Sequence, residues 1–293
     1  MEEKMIDFDF HIHSAPHSGC AGQTVKEAIK KAHDSGIKTV ALCDHNCIDG
    51  LEEARSECEK LGMRFVNGVE LSVSVSGVSE SVDGIVIHVL GYNITPDIEL
   101  FNRMKSRFDR DYVARLKAIC EYLKESRGWR IAGGICGSKH LREELVSRGY
   151  FPDTAQAKSF LCSKEISDKF PEKKIPIEEV VGIIHSLGGL AVMAHPNNAE
   201  NHVRLSVSQT NEIVRFLAGK GLDGLEVFHY STVKEEGVVE NLLQQAEKYN
   251  LKVTLGSDRH YCDDRYGKDY FSMAEKLKSF DYDFDSIKNF CKV

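Results

Sequence analysis

The sequence predicts an α/β chain in which a βα barrel is split by a mostly helical insertion. Three observations carry the prediction. Over about the first ninety residues, short β-rich runs alternate with helical periodicity, the pattern of βα units. From 96 to 176 the chain is rich in Lys, Arg, Glu and Leu and poor in β-branched residues. After Pro176 the alternation resumes. The barrel is therefore expected from 1–95 and 177–293, and the insertion from 96–176 as part of the substrate pocket.

In chain order, MIDFDFHIH reads as the first strand. TVKEAIKKAHDSG follows as a helix with Thr24 as N-cap, Glu27 completing a capping box and Gly36 as the stop. TVALCD is the second strand and GLEEARSECEKLG the second helix. MRFVNGVELSVSV and DGIVIHVLGY are further strands, and the polar SGVSESVDG between them reads as a hairpin loop. Glycines at 128, 133, 134 and 137 break the insertion. Three helix-then-strand pairs then end in GLAVMAHP, LDGLEVFH and LKVTLGSD.

Composition narrows the function. With 38 basic against 45 acidic side chains the net charge is −7, which argues against bulk nucleic acid as a partner. A mean hydropathy of −0.31 and 42% hydrophobic residues describe a globular chain with no run long enough to span a membrane. The opening MEEKMIDFDF carries no secretory core, so a cytoplasmic location is expected. Nine cysteines include no CxxC pair, which points to neither a disulfide framework nor a cysteine zinc site. Cys43, inside TVALC, reads as a small packed hydrophobe.

The informative feature is where histidines and acids fall. His11 and His13 share one face of the first strand, roughly 7 Å apart, which suits chelation of one ion. His45 closes the second strand, Glu70 lies in the third, His88 in the fourth, His195 after GLAVMA, and Asp258 and His260 at the last. In parallel βα barrels the C-terminal strand ends converge on the catalytic face. One strand-end histidine is ordinarily structural, but six histidines and two acids at such positions are not a coincidence. Imidazole and carboxylate donors without thiolate suit Zn, Mn or Fe, and their number implies two or three divalent ions. His33, His185 and His202 read as surface or packing residues.

These motifs, in DFDFHIHS, ALCDHN, NGVELS, HVLGY, AVMAHP and GSDRH, run in order across nearly the whole chain. They resemble the PHP (polymerase and histidinol phosphatase) phosphoesterases, most closely the small phosphatases with a helical insertion that act on nucleotide or ribose phosphates. The resemblance implies a distorted TIM-like (β/α)7 barrel. It also implies His11, His13, His45, Glu70, His88, His195, Asp258 and His260 as metal ligands, with Glu70 bridging two ions. Two departures stand out. The branch reads Ser-Asp-Gly after the first strand, with the Asp a ligand, whereas this chain has His17, Ser18 and Gly19. It also places Arg after the insertion's glycine, where Ser138 and Lys139 stand here. His17 or Ser18 is accordingly a candidate extra donor.

The expected reaction is hydrolysis of a small phosphorylated metabolite by water acidified at the metal cluster, with no protein nucleophile. Glu70, His195, Asp258 and His260 are the candidate catalytic residues, and His195 or His260 could instead protonate the leaving alkoxide. Arg107 and Arg110 share a helix face, serving phosphate recognition or a solvated flank paired with Asp109 and Asp111. Lys139 and His140, beside Arg142, follow a Gly break that could open a helix toward an anion. His229, ending LEVFH, is a candidate contact to the phosphate or the leaving group. Alternatives are a histidinol-phosphate phosphatase, a cyclic-phosphate hydrolase, a metal-dependent amidohydrolase and a noncatalytic PHP-like module. No strand-end Lys is available for the carbamylated centre common among amidohydrolases.

Overall fold

The computed structural model describes residues 6–18, 21–135, 137–171, 174–200, 203–261 and 276–290. Its elements run β1 (Phe8–Ile12), α1 (Val25–Asp34), β2 (Thr39–Leu42), α2 (Leu51–Lys60), β3 (Arg64–Ser74), β4 (Val86–Tyr92), α3 (Ile98–Arg127), α4 (Ser138–Ser147), α5 (Thr154–Leu161) and α6 (Lys164–Lys169). They continue with β5 (Ile175–Pro176), α7 (Ile177–Ser186), β6 (Leu190–Met193), β7 (Asn198–Ala199), β8 (Val203–Arg204), α8 (Val207–Gly219), β9 (Gly224–His229), α9 (Val238–Lys248), β10 (Lys252–Gly256) and a closing helix, Phe284–Phe290. None of the described helices is long and apolar enough to cross a membrane.

Seven strands form a distorted barrel in the order β1-β2-β3-β4-β6-β9-β10. The ends of the sheet meet where Ile12 bridges Arg259 and the His13 amide donates to the Arg259 carbonyl at 2.9 Å. Five of the neighbouring pairs are parallel or close in that sense, but β4 runs antiparallel to both β3 and β6. The reason is local: Val75 to Ile85 is a tight connection, closed by a Val75 amide to Ile85 carbonyl bond of 2.8 Å, and a parallel crossover would require an intervening helix. This is the hairpin that the polar SGVSESVDG segment predicts, and it interrupts the alternation of βα units at this strand.

Local signals agree with the sheet. Thr24 caps α1, with Glu27 completing the capping box, and Gly36 follows in the left-handed region at φ 84°. Val25, Ala28, Ile29 and Ala32 are the buried face of α1. Between the strands the core is filled by Phe8, Phe10, Leu42, Leu71, Leu90 and Phe228, all essentially inaccessible. Cys43 belongs to it, its thiol donating to the Phe10 carbonyl at 3.3 Å, and burial pushes that thiol well above its ordinary pKa. Gly256 is required by close approach: a Cβ there would collide with the His11 Cβ and the Glu226 carboxylate.

The described chain divides into two compact units, Met1–Phe101 with Ile175–Val293, and Asn102–Lys174. The second has its own apolar core of Leu116, Ile119, Leu123, Leu141, Leu145 and Ile166 among others. Trp129 packs at its edge, stacked on Tyr150 with ring centroids 4.4 Å apart.

Candidate metal centre

All eight strand-end residues picked out in the sequence lie together at one end of the barrel. Glu70 is the hub, fully buried. Its Oε1 lies 3.0 Å from His88 Nδ1, 3.1 Å from His195 Nε2 and 3.4 Å from His11 Nε2. Its Oε2 lies 2.9 Å from His45 Nδ1 and 3.4 Å from His13 Nε2. Asp258 faces it, 3.0 Å from His13 Nε2 and 3.5 Å from both His11 Nε2 and His260 Nδ1. His260 stacks on His13 at 4.2 Å between ring centroids.

The positions differ in detail from a uniform set of C-terminal strand ends. His11 lies inside β1 and His13 just beyond it, while His45 and His195 follow β2 and β6 by a few residues. His195 and Asp258 take left-handed φ angles of 26° and 54°, a strained conformation for such residues that is retained where it aims a side chain. Glu70 sits in mid-strand because β3 runs on to pair with β4. His88 is near the start of β4, and only the reversal of that strand brings it to the same end of the barrel.

Supporting groups complete the arrangement, and several were not singled out from the sequence. Buried Glu226 on β9 accepts from His11 Nδ1 at 2.9 Å and from the His195 amide at 2.8 Å. A carboxylate on one imidazole nitrogen fixes the tautomer, leaving Nε2 of His11 as the donor that faces Glu70 and Asp258. Asp9 accepts from the Ser257 amide and hydroxyl and from the His11 amide. Asp44 accepts from the Ser14 amide and hydroxyl and from the Ser18 hydroxyl. The trace of Asp9 and Glu226 in the sequence is an acid inside an apolar strand, as in DFDF and GLEVFH, whereas Asp44 lies in the ALCDHN motif itself.

His17 and Ser18 are not brought into that donor set. The Ser18 hydroxyl donates to Asp44 at 2.8 Å, accepts from the His45 amide at 3.0 Å and lies 3.2 Å from His13 Nδ1. A neutral hydroxyl so occupied orients ligands instead of supplying one. His17 turns toward Cys47 and Asp49. His229 joins the edge of the cluster: buried, it holds Nε2 3.7 Å from Asp258 Oδ2, and that nitrogen has no hydrogen-bond partner among the described residues. Its Nδ1 accepts from the Ser231 amide at 3.1 Å.

Arg107 and Arg110 are exposed on α3, and Lys139 and His140 are exposed on the first turn of α4. Lys139 reaches Glu143 at 3.9 Å. All four belong to the second unit. His33 and His185 are surface residues paired with Asp34 and Asp223, and His202 lies outside the described residues.

Electrostatics follow from this packing. Burial opposes ionisation of Glu70, but the imidazoles of His88, His45 and His11 outweigh it and hold the carboxyl well below its usual range. Asp258 behaves alike: His11, His13 and His229 overcome its burial. For His11, burial is outweighed by Glu226, Glu70 and Asp258, so its pKa rises well above 6.5, and Glu70 likewise raises His195. Burial depresses His88 and His229, and burial together with His260 depresses His13.

The donor set fits divalent metal ions. His11 Nε2 and His13 Nε2 point at one another at 3.0 Å, and Glu70 Oε2 is buried with no hydrogen bond among the described residues, an unstable state for a carboxylate without a cation. Three overlapping donor groups, His13/His45/His260, His11/His13/Glu70/Asp258 and His45/Glu70/His88, each bring their atoms within 4.8 Å.

Comparison with known proteins decides the family. The PHP domain model matches residues 9–289. The chain belongs to the PHP family. It is 25% identical over 276 residues to a 5′-3′ exoribonuclease of Haemophilus influenzae, covering 87% of this chain and 90% of that one. It is 24% identical over 258 residues to a 3′,5′-nucleoside bisphosphate phosphatase of Chromobacterium violaceum, covering 87% and 88%. Among solved structures, an amidohydrolase from Chromobacterium violaceum with bound sulfate superposes with a TM-score of 0.63 at 23% identity, over 87% of this PHP chain and 88% of that one, a likeness of fold.

Proposed function

We propose that this PHP-family phosphoesterase hydrolyses a phosphate ester of a small nucleotide or ribose phosphate, using two or three ions of Mn, Zn or Fe held by His11, His13, His45, Glu70, His88, His195, Asp258 and His260. The observation that carries the reading is buried Glu70, whose two oxygens face five imidazoles, a placement that suits a carboxylate shared between ions. Divalent ions bound there lower the pKa of a coordinated water and neutralise charge on phosphoryl oxygens.

The chain's own groups divide the remaining work. Glu226 and the Ser18 hydroxyl orient the rings of His11 and His13 so that their Nε2 atoms converge. The Ser231 amide donates to His229 Nδ1 at 3.1 Å, with the Ser231 hydroxyl 2.7 Å from the same nitrogen; in the tautomer that accepts from the amide the neutral ring carries its hydrogen on Nε2, and burial lowers the ring's pKa. That N–H faces the cluster beside Asp258 and is suited to donate to a phosphoryl or leaving oxygen. Arg107, Arg110, Lys139 and His140 are proposed to hold more distant substrate charge, with exposure and cationic chemistry as their support. The free thiols at Cys43, Cys47, Cys58, Cys120 and Cys162 fit a reducing compartment such as the cytoplasm.

A phosphate-release screen over nucleoside bisphosphates, nucleotides, sugar phosphates, cyclic phosphates and histidinol phosphate, with each metal in parallel, tests the reading. Turnover of a nucleotide or ribose phosphate that is lost to chelator and restored by metal is expected; turnover of amides alone would overturn it. A second reading, removal of nucleotides from the 5′ end of RNA, is favoured by the Haemophilus relative. The acidic net charge disfavours long polyanions. A 5′-phosphorylated oligoribonucleotide in the same screen separates the two.

A further inference from the structure

His17, Cys47 and Asp49 stand outside the barrel-end cluster yet offer a donor set of their own. One ring nitrogen, the thiol sulfur and one carboxylate oxygen lie within 4.8 Å of one another. The three barrel-end groups are chained together through His13, His45 and Glu70, whereas this trio shares no residue with any of them.

The scaffold behind the trio is fixed on both sides. Ser18, the neighbour of His17, is buried and bonded to Asp44 and to the His45 amide. Asn46, the neighbour of Cys47, holds a left-handed φ of 51° and is tied to β3: its amide donates to the Glu70 carbonyl at 2.8 Å, and its side chain exchanges two hydrogen bonds with Ser72. Gly50 lets the loops close: a Cβ there would lie 3.0 Å from His17 Cδ2 and 3.2 Å from Asp44 Oδ2. A second carboxylate therefore lies close behind the His17 ring, and the local field favours a cation.

We infer that His17, Cys47 and Asp49 form a separate mononuclear site for a thiophilic divalent cation of the zinc class, linking the loops after β1 and β2. Nitrogen, sulfur and oxygen donors together suit a borderline-soft ion. Donors around tetrahedral zinc lie roughly 3.3–3.8 Å apart for bonds of ~2.0–2.3 Å, so a small rotation of the exposed Asp49 side chain closes the set, with solvent as the fourth ligand. The linked loops carry His13 and His45, so an ion here stiffens the entry to the larger cluster. The inference does not depend on what that cluster hydrolyses.

The test uses Co²⁺ titrated into the chelator-stripped full chain. Thiolate bound to Co²⁺ gives an intense near-ultraviolet charge-transfer band, which imidazole and carboxylate donors do not, so the barrel-end cluster contributes visible absorption only. The expected result is a near-ultraviolet band that saturates at the amplitude of one cobalt–thiolate bond per chain, is abolished by Cys47→Ser, is weakened by His17→Ala and is displaced by Zn²⁺. Absence of the band, or its survival in Cys47→Ser, would overturn the site. Should Cys47→Ser fail to fold, alkylation of Cys47 in the unmodified protein decides the matter: protection by Zn²⁺ supports the site, and equal labelling with and without Zn²⁺ refutes it.

Discussion

The barrel end and the insertion handle charge in opposite ways. At the barrel end Glu70, Glu226, His11 and His13 are wholly buried and touch one another. In the insertion, Arg127 with Glu165 and Lys164 with Asp168 are exposed pairs, Arg148 pairs with a half-buried Glu144, and the interior is aliphatic and aromatic. Exposed pairs cost little to form and contribute little; buried charges are tolerable only when neutralised by partners or by metal. The difference teaches where to look for chemistry: the insertion spends its interior on stability, and the barrel end spends its interior on an ion site.

The contrast can be broken most forcefully at Glu70. Glu70→Gln is expected to reduce phosphatase turnover beyond the ~10–100-fold that loss of an outer-shell partner brings, with an unchanged far-ultraviolet circular dichroism spectrum. A loss below tenfold would remove Glu70 from the centre of the site. Next in size, Leu123→Ala in the insertion core should destabilise that unit by about 3 kcal/mol. The single tryptophan, Trp129, packs against this core, so its fluorescence follows the insertion, while metal content should stay at the unmodified level. Metal loss in Leu123→Ala would show that the two regions are not independent.

Glu226→Gln sharpens the comparison by leaving every proposed ligand in place. Metal affinity should drop ~10–100-fold, read by competition with a chromogenic chelator. Proton linkage tests the same buried network. The raised pKa values of His11 and His195 stabilise the metal-free fold fully below about 6.5, and that stability is lost as pH rises through their folded values. The depressed Glu70 and Asp258 act in the other window, stabilising above the ordinary carboxyl range and failing as pH falls through their folded values. Metal must displace the imidazole protons, so uptake near pH 7 should release protons and tighten with rising pH. Calorimetry in buffers of differing ionisation enthalpy measures the release; none detected would mean His11 is already neutral.

The smallest effects belong to the exposed insertion. Alanine at Arg107, Arg110 or Lys139 should raise KM by the equivalent of about 1.5 kcal/mol where the residue binds phosphate, and unchanged KM at all three would leave phosphate to the barrel alone. Lys164→Ala, which removes only an exposed pair, should change stability by less than ~0.5 kcal/mol in thermal unfolding.

Much of this was legible in the chain because strand-end histidines and helix caps are local signals. HIH, CDH, MAHP and SDRH each sit beside a run whose periodicity marks a strand, so their convergence follows from topology. The direction of β4 was legible from outside the strand: its apolar run reads alike both ways, but the polar SGVSESVDG loop before it reads as a hairpin and gives the reversal. Glu226 and Asp9 escaped because a lone acid in an apolar run carries no spacing to match, and its meaning comes from His11 and Ser257 across the sheet. Ser18 and His17 show the converse. Their place in the motif suggested donors, but which neighbour each side chain meets depends on Asp44 and Cys47, contributed by another strand's loop.

The seam between β1 and β10 has a kinetic consequence. The β3–β4 hairpin joins near neighbours in sequence, whereas Ser257 and Asp9 are 248 residues apart and His11 and Glu226 are 215 apart. Loop-closure entropy makes such distant pairings late events in folding. His11, His13 and Asp258 meet only across this seam, so competence to capture an ion should appear after most secondary structure has formed. In stopped-flow refolding with a fluorescent metal indicator, ion capture should lag the circular dichroism signal, and simultaneous traces would mean that the ends of the barrel find one another early.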